Sequence, residues 1–556
     1  MQQANPPRLF DNSLHTMLTS EELFWPLLPI VLYAETHYRF KFFLSLLKKR
    51  EPELIADAPH RLEPGQTLPL LILVKDAHQF PCLLKEINIE VIAQNRVVMR
   101  TQILKAPVQL EDQLWWNVFS LKLGRVQGWI DCFVAMTIEY DGLQKTYYSD
   151  NHRTSSHRPL RIYVAGDPLP RFPFLQLGEA HSHTSHTSDQ VEFGSPIPAS
   201  VELAGRMGLS FFCATDHSYD LDDHPDDYLS NHPGLPKWNQ LQQEVREANS
   251  HGSRFAVLRG EEVSCRNERG ENVHLLLFGT KIFFHGSGDS AERWFRTRSE
   301  NSAKDVLARK ESGTVAFAAH AREAVPFLQK VLLGRGFWSD DDLCLKGLRG
   351  FQFANGRHDE GFEEGYRTWI RLLLRGHRLT TIAGNDAHGN FNRFRQIGIP
   401  FLSVRETNDQ IFGKMRTGIF AKRISEDSLL QAFGAGECII TDGPVANLST
   451  HQRPGQCTSI GGTFRGRRHS FVLEARSSRE FGTIQSMKVF LGVINTGTES
   501  MIFSKECKDL FSYREVIRLQ LEEPSYIRAE VSTSADDSSD GSAHFCFTNP
   551  AWLNPS

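Results

Sequence analysis

The sequence lacks the features that would take it out of water or into an oxidising compartment. Its nine cysteines are scattered, odd in number and without a Cys-x-x-Cys pair. That argues against a secreted disulfide framework and for reduced thiols in the cytoplasm. The start, Met1-Gln-Gln-Ala-Asn-Pro-Pro7, has no basic residues of the kind that open a signal peptide. No apolar run is long enough to span a bilayer. The stretch Phe24 to Ala34 is short and carries two prolines, which suits a buried or docking segment. A formal net charge of −4 gives no general attraction to nucleic acid or anionic membrane. No stripe of interleaved basic and aromatic residues suggests a nucleic-acid groove. The partner these absences leave is a small molecule.

Hydrophobic content of 40% and charged content of 23% are ordinary for a globular chain, and 556 residues suffice for several cores. Residues 1–60 read as a helical or irregular segment, with a short basic helix candidate from Tyr38 to Arg50 expected to pack on the rest. Residues 61–166 read as a β-sandwich-like domain. Glu86-Ile-Asn-Ile-Glu-Val-Ile92 alternates at the period of a half-buried strand, and Asp141-Gly142 follows Cys132–Tyr140 as a hairpin turn. A proline-rich linker, Asp167 to Pro173, comes next. After Pro444 the β pattern returns, and residues 445–556 read as a second sandwich-like domain, with strand candidates at His469–Ala475, Met487–Ile494 and Tyr526–Val531.

Between these regions, short apolar runs alternate with helical stretches, as βα units do. Helices are expected at Pro198–Met207, Lys237–Asn249 and Glu360–Arg375. Strands are expected at Leu209–Ala214, Phe255–Leu258, Val273–Phe278, Thr314–Ala319, Gly350–Ala354 and Leu379–Ala383. Side chains that bind metals cluster at the ends of these runs: His181-Ser-His183, Asp216-His217, Glu261-Glu262, His274, His320 and Asp386-Ala-His388. Imidazole and carboxylate together suit zinc, manganese or iron. Alternate residues of a strand share a face, so His-x-His and Asp-x-His can each grip one ion with two side chains. Loops beyond the C-terminal ends of strands are where barrel enzymes assemble their sites.

In this order the segments resemble the PHP (polymerase and histidinol phosphatase) superfamily over Phe172 to Pro444. The flanking β regions and the closing Phe547-Thr-Asn-Pro550 are similar to multidomain metallohydrolases related to carbaryl hydrolase. The resemblance implies a multidomain α/β plus all-β protein: a distorted barrel of seven strands over residues 172–444, flanked by the two β domains. It implies two or three divalent transition metal ions. His181, His183, Glu262 and Asp386 would hold the first. Glu262 would bridge to a second held by His274 and His320. A third would take His217, His388 and Asp189, with His186 as the alternative to Asp189 and Glu261 as the alternative to Glu262. His181, His183, Glu262, Asp386 and His388 would carry the chemistry, in which ions bridged by a carboxylate activate a shared water. Asp216 is expected to orient a ligand histidine as hydrogen-bond acceptor. The implied activity is hydrolysis of a small phosphorylated metabolite or nucleotide. Arg322, Arg357, Arg393 and Arg395 are the candidates to bind its anionic group. The alternatives are hydrolysis of a carboxyl or carbamate ester at the same centre, or a catalytically idle metal-binding module that serves for interaction.

Overall fold

The computed structural model describes residues 51–151, 158–187, 194–225, 227–250, 254–288, 297–325, 327–398, 403–407, 409–450 and 457–556. The apolar and basic segments expected before residue 50 lie outside these ranges, as does Asp189. Among the described residues no helix is long and apolar enough to cross a membrane. The protein is multidomain and mixes α and β structure, with strand predominating.

The N-terminal region forms two sheets. One pairs Glu53–Asp57, Leu68–Lys75 and Leu114–Leu121, and the other is built on the long antiparallel pair Cys82–Ala93 and Gly128–Tyr140. Leu54, Leu70 and Ile72 of the first share a core with Ile87, Val134 and Ile162 of the second. Strand structure therefore starts at Glu53 and not at 61, because Leu54 and Ala56 alternate inward and belong to this core. Asp141 and Gly142 adopt φ of 51° and 70°. That is the left-handed pair that a tight hairpin requires, and it pairs Tyr140 with Leu143.

The middle region carries a sheet whose strands run, in spatial order, Thr380–Gly384, Gly350–Asn355, Val315–Ala318, Asn272–Phe278, Ala256–Arg266, Phe211–Ala214 and Leu175–His183. Helices Ile197–Arg206, Pro236–Ser250 and Glu360–Leu374 lie within a residue or two of their sequence-predicted bounds. The regular βα alternation fails after Leu258. Ala256–Arg266 runs on past Leu258 and turns straight back into Asn272–Phe278 as an antiparallel hairpin. Asn267 closes that turn by accepting from the amides of Arg269 and Glu271. A reversed strand starts at the end where its parallel neighbours finish. His274, near the start of its strand, therefore stands beside Ser264 in the register and at the same end of the sheet as the other candidate ligands.

The sheet also curls back on itself. Thr417, on the strand Arg416–Phe420 that pairs antiparallel with Leu175–Gly178, accepts from the Ala383 amide at 2.9 Å and donates to the Ala383 carbonyl at 2.7 Å. Gly384 then lies so close to the first strand that a Cβ there would sit 2.6 Å from Cβ of His181.

Beyond Pro444 the chain is not an independent sandwich. Val445–Ser449, Arg468–Arg476 and Ser512–Gln520 form one sheet, but the remaining strands extend the middle sheet, through pairing of Cys438–Thr441 with Phe545–Thr548. Asn549, within the closing Phe-Thr-Asn-Pro motif, locks this joint. Its side chain accepts from the Thr381 amide and donates to the carbonyls of Thr381 and Cys438 at 2.8–2.9 Å.

Candidate metal centre

Glu262 is the hub of the site. Its carboxylate is fully buried and five histidine rings converge on it. One oxygen, Oε1, lies 2.8 Å from Nδ1 of His274 and 3.2 Å from Nε2 of His320. The other, Oε2, lies 3.2 Å from Nε2 of His181, 3.4 Å from Nε2 of His183 and 3.0 Å from Nδ1 of His217. Asp386 joins the same two histidines, with Oδ1 3.3 Å from His181 Nε2 and 3.0 Å from His183 Nε2. His183 stacks on His388 with ring centroids 4.0 Å apart.

Such a set of donors is poorly explained by hydrogen bonding alone. His181 Nε2 and Glu262 Oε2 are buried and face each other without making a bond of acceptable geometry. Buried polar atoms in that condition call for an ion or water. Among the described residues, three groups of side chains bring donor atoms within 4.8 Å of one another: His181, His183, Glu262 and Asp386; His217, Glu262 and His274; and His183, His217 and His388. These buried groups could hold metal ions. His320 reaches Glu262 but falls outside the three groups.

The local fold explains the convergence. His181 and His183 share one face at the end of Leu175–His183, and Ala387–His388 pairs alongside Ser182 and His183. Asp386 and His320 hold φ of 51° and 27°, backbone that non-glycine residues seldom adopt. Strain of this kind persists where surrounding contacts over-determine it, and it gathers at functional sites.

Electrostatics follow from burial and crowding. Burial disfavours charge on Glu262, yet His181, His274 and His217 outweigh it and hold the carboxyl well below its usual range. Asp386 is likewise held low against its own burial, by His181 and by its bond to His183. Burial also opposes charge on His181, but Glu262 and Asp386 raise it to about 9. His183 goes the other way: burial, then His388 and His217, keep it well below the ordinary value and so neutral. His183 is thus in the neutral state that ligation needs, whereas His181 would have to release its proton as a metal ion bound.

Several side chains took no part in the sequence reading and hold the donors in place. Gln352 Oε1 lies 2.9 Å from His181 Nδ1, which leaves Nε2 directed at the carboxylates. Glu179 is fully buried. It accepts from the amides of His181, Asn385 and Gly413 at 2.9–3.0 Å and from the Asn385 side chain. It thereby ties the His-x-His strand to the Asn385-Asp386 turn. Burial pushes its carboxyl up to about 7 despite these bonds. The Gly-Glu-Ala before His181 was the only signal for Glu179, and Gln352 lies in a plain apolar strand with none.

Other expectations meet a different geometry. Asp216 does not serve as the acceptor for a ligand histidine. It accepts from the amides of Thr184 and Thr187 and from the Thr184 hydroxyl, at 2.8–3.0 Å, and so fixes the loop after His183. Glu261, next to Glu262 but on the other face of the strand, accepts from Ser218 and the Phe284 amide, and burial pushes its carboxyl well up. His186 pairs with Glu244 at 3.3 Å. The arginines have partners of their own: Arg322 with Asp340 at 2.5 Å, Arg357 with Glu323 and Asp359 at 2.7 and 2.6 Å, and Arg393 with the carbonyls of Arg158 and Pro159. The side chain of Arg395 lies outside the described set.

No family model matches the chain, and no curated protein matches it. Among solved structures, β-D-mannosidase from Dictyoglomus thermophilum is 8% identical, covering 91% of this chain and 67% of its own, with a TM-score of 0.23. A putative β-galactosidase from Bacteroides fragilis is 8% identical at a TM-score of 0.16, covering 92% of this chain and 74% of its own. The sporulation control protein Spo0M from Bacillus subtilis is 11% identical over 23% of this chain, at a TM-score of 0.14, and this chain spans 60% of its length. Likenesses at these scores carry no argument about fold or activity.

Proposed function

We propose that the protein is a metal-dependent hydrolase of the PHP type, with the middle region as its distorted barrel, acting on a small phosphoester. The observation that carries the reading is Glu262, one buried carboxylate with His274 and His320 on one oxygen and His181, His183 and His217 on the other. A carboxylate so placed is suited to bridge two ions. His181, His183 and Asp386 would complete one set and His274 the next, with His217 and His388 beside them. Two or three ions of zinc, manganese or iron fit these nitrogen and oxygen donors. When bound, they would supply water activation and hold negative charge as it develops. The chain's own part is to gather imidazole nitrogens round Glu262 and Asp386, to keep those two carboxylates ionised, and to fix the set through Gln352 and Glu179.

A second reading, hydrolysis of a neutral carboxyl or carbamate ester at the same centre, draws on one observation: Arg322, Arg357 and Arg393 are each already engaged by carboxylates or carbonyls. The deciding experiment loads the purified chain with zinc, manganese or iron, counts bound metal, and screens phosphate esters against carboxyl esters. More than one ion per chain and turnover of phosphate esters alone are expected. Turnover of carboxyl esters alone would transfer the assignment to the second reading. Less than one ion per chain would remove both.

A further inference from the structure

A cavity of about 440 Å³ opens beyond His320, lined among others by Arg322, Glu323, Lys330, Arg335, Phe337 and Glu364. Its volume lies in the range of small-molecule sites. Cations dominate the wall in effect as well as in number. Of the two carboxylates, Glu323 is taken up by Arg357 and by Asn355 at 3.3 Å, and Glu364 accepts from the Thr368 hydroxyl at 3.3 Å and pairs with Arg367 at 3.9 Å. Behind the wall, the single carboxylate of Asp340 is shared by Arg322, Arg371 and Arg375. Even with Glu364 also acting on Arg322 and Arg371, three guanidiniums meet two carboxylates. The side chain of Arg322 is 10% exposed, and its Nε is buried with no hydrogen-bond partner. A buried donor in that state is costly unless a ligand or water satisfies it.

We propose that this cavity binds the oxyanion, phosphate or carboxylate, of a small molecule, with Arg322, Lys330 and Arg335 as its cationic wall and Phe337 as its apolar one. The cavity is not isolated from the metal centre. The Glu323 amide donates to the His320 carbonyl, and a chain of hydrogen bonds runs from His181 through Gln352 and Asn355 to Glu323. The bound group is assigned to the substrate, a role that rests on the hydrolase reading. The binding itself does not.

Calorimetric titration of the full chain, before and after treatment with a chelator, tests the pocket separately from the chemistry. The probes are phenylphosphonate, benzoate and uncharged benzyl alcohol. Saturable binding of at least one anion is expected in both states, with benzyl alcohol at least tenfold weaker. Tighter phenylphosphonate assigns a phosphoryl group and tighter benzoate a carboxylate. Lys330→Glu, on an exposed side chain, should weaken the anion at least tenfold while bound metal stays at the parent level. Arg335→Ala should weaken it in the same direction. Binding that disappears with the metal, binding that Lys330→Glu leaves unchanged, or equal affinity for benzyl alcohol would each overturn the proposal. Absence of metal with anion binding intact would overturn the hydrolase reading alone.

Discussion

At the scale of single residues, ligands and supports should fail differently. Asp386→Asn keeps the shape of the side chain but removes the charge that faces His181 and His183. Hydrolysis should fall by more than roughly 100-fold, beyond what outer-shell changes usually cost, with the circular dichroism spectrum unchanged. Turnover within threefold of the parent would contradict the assignment of this centre. Glu179 should behave in the opposite order. Glu179→Ala strands buried amides of His181, Asn385 and Gly413, and each orphaned buried donor costs about 1–3 kcal/mol. A loss of roughly 3 kcal/mol or more in urea unfolding is expected, along with weaker metal binding. The segments that could hold metal were legible because imidazole and carboxylate at strand ends leave a distinct pattern. Gln352 and Glu179 were not, because a single polar residue in an apolar strand reads the same whether it supports a site or merely satisfies a neighbour. Asp216 was misread for a related reason: adjacency to His217 in sequence says nothing about which donors a carboxylate will meet across the fold.

At the scale of elements, periodicity located three of the helices closely and left others, such as Ala303–Arg309 and Glu426–Ala435, unread; among the strands, it fell short where pairing partners that sequence does not display extended or merged them. Ala256–Arg266 reads as a short strand followed by charged residues, yet Glu261 and Glu262 continue it because Asn272–Phe278 returns alongside to complete their backbone bonds. The early start of the N-terminal sheet at Glu53 and the merging of C-terminal strands with the middle sheet have the same origin. A glycine on helix Glu360–Leu374 gives a test of packing at this scale. Replacing a helix-interior glycine by alanine ordinarily stabilises by about 1 kcal/mol. At Gly365, however, a Cβ would lie 2.2 Å from Cβ of Phe353 on the adjoining strand. Gly365→Ala should therefore destabilise by about 1–3 kcal/mol, the usual cost of overpacking. A rise in melting temperature would show that the helix does not sit this close to the strand.

At the scale of the whole molecule, the regions are joined by buried polar contacts as well as by shared sheets. Arg61 of the N-terminal region is 1% exposed and meets Glu480 of the C-terminal region at 2.9 Å. Glu63 also meets Arg61, at 2.9 Å, so Glu480→Ala removes one of two carboxylates and should cost less than the about 3–5 kcal/mol of a charge left wholly unpaired, read as a lower urea midpoint. A second joint should make stability depend on pH. His544 lies 3.2 Å from Asp442 and 3.3 Å from Asp540. Burial opposes its charge, but its bonds to these two carboxylates prevail and raise it from 6.5 to about 9. The folded protein thus holds this proton to higher pH than the unfolded chain. The stabilisation is complete below pH 6.5 and drains away as pH rises towards 9, at a limiting slope of about 1.4 kcal/mol per pH unit. His181 titrates upward in the same direction, so the parent curve alone would not isolate the joint. The difference between parent and His544→Gln does, because the variant keeps every other group. Urea unfolding at pH 6, 7.5 and 9 should give a gap between the two proteins that is widest at pH 6 and narrows steadily. A gap that stays constant across this range would mean that His544 contributes packing and not its charge.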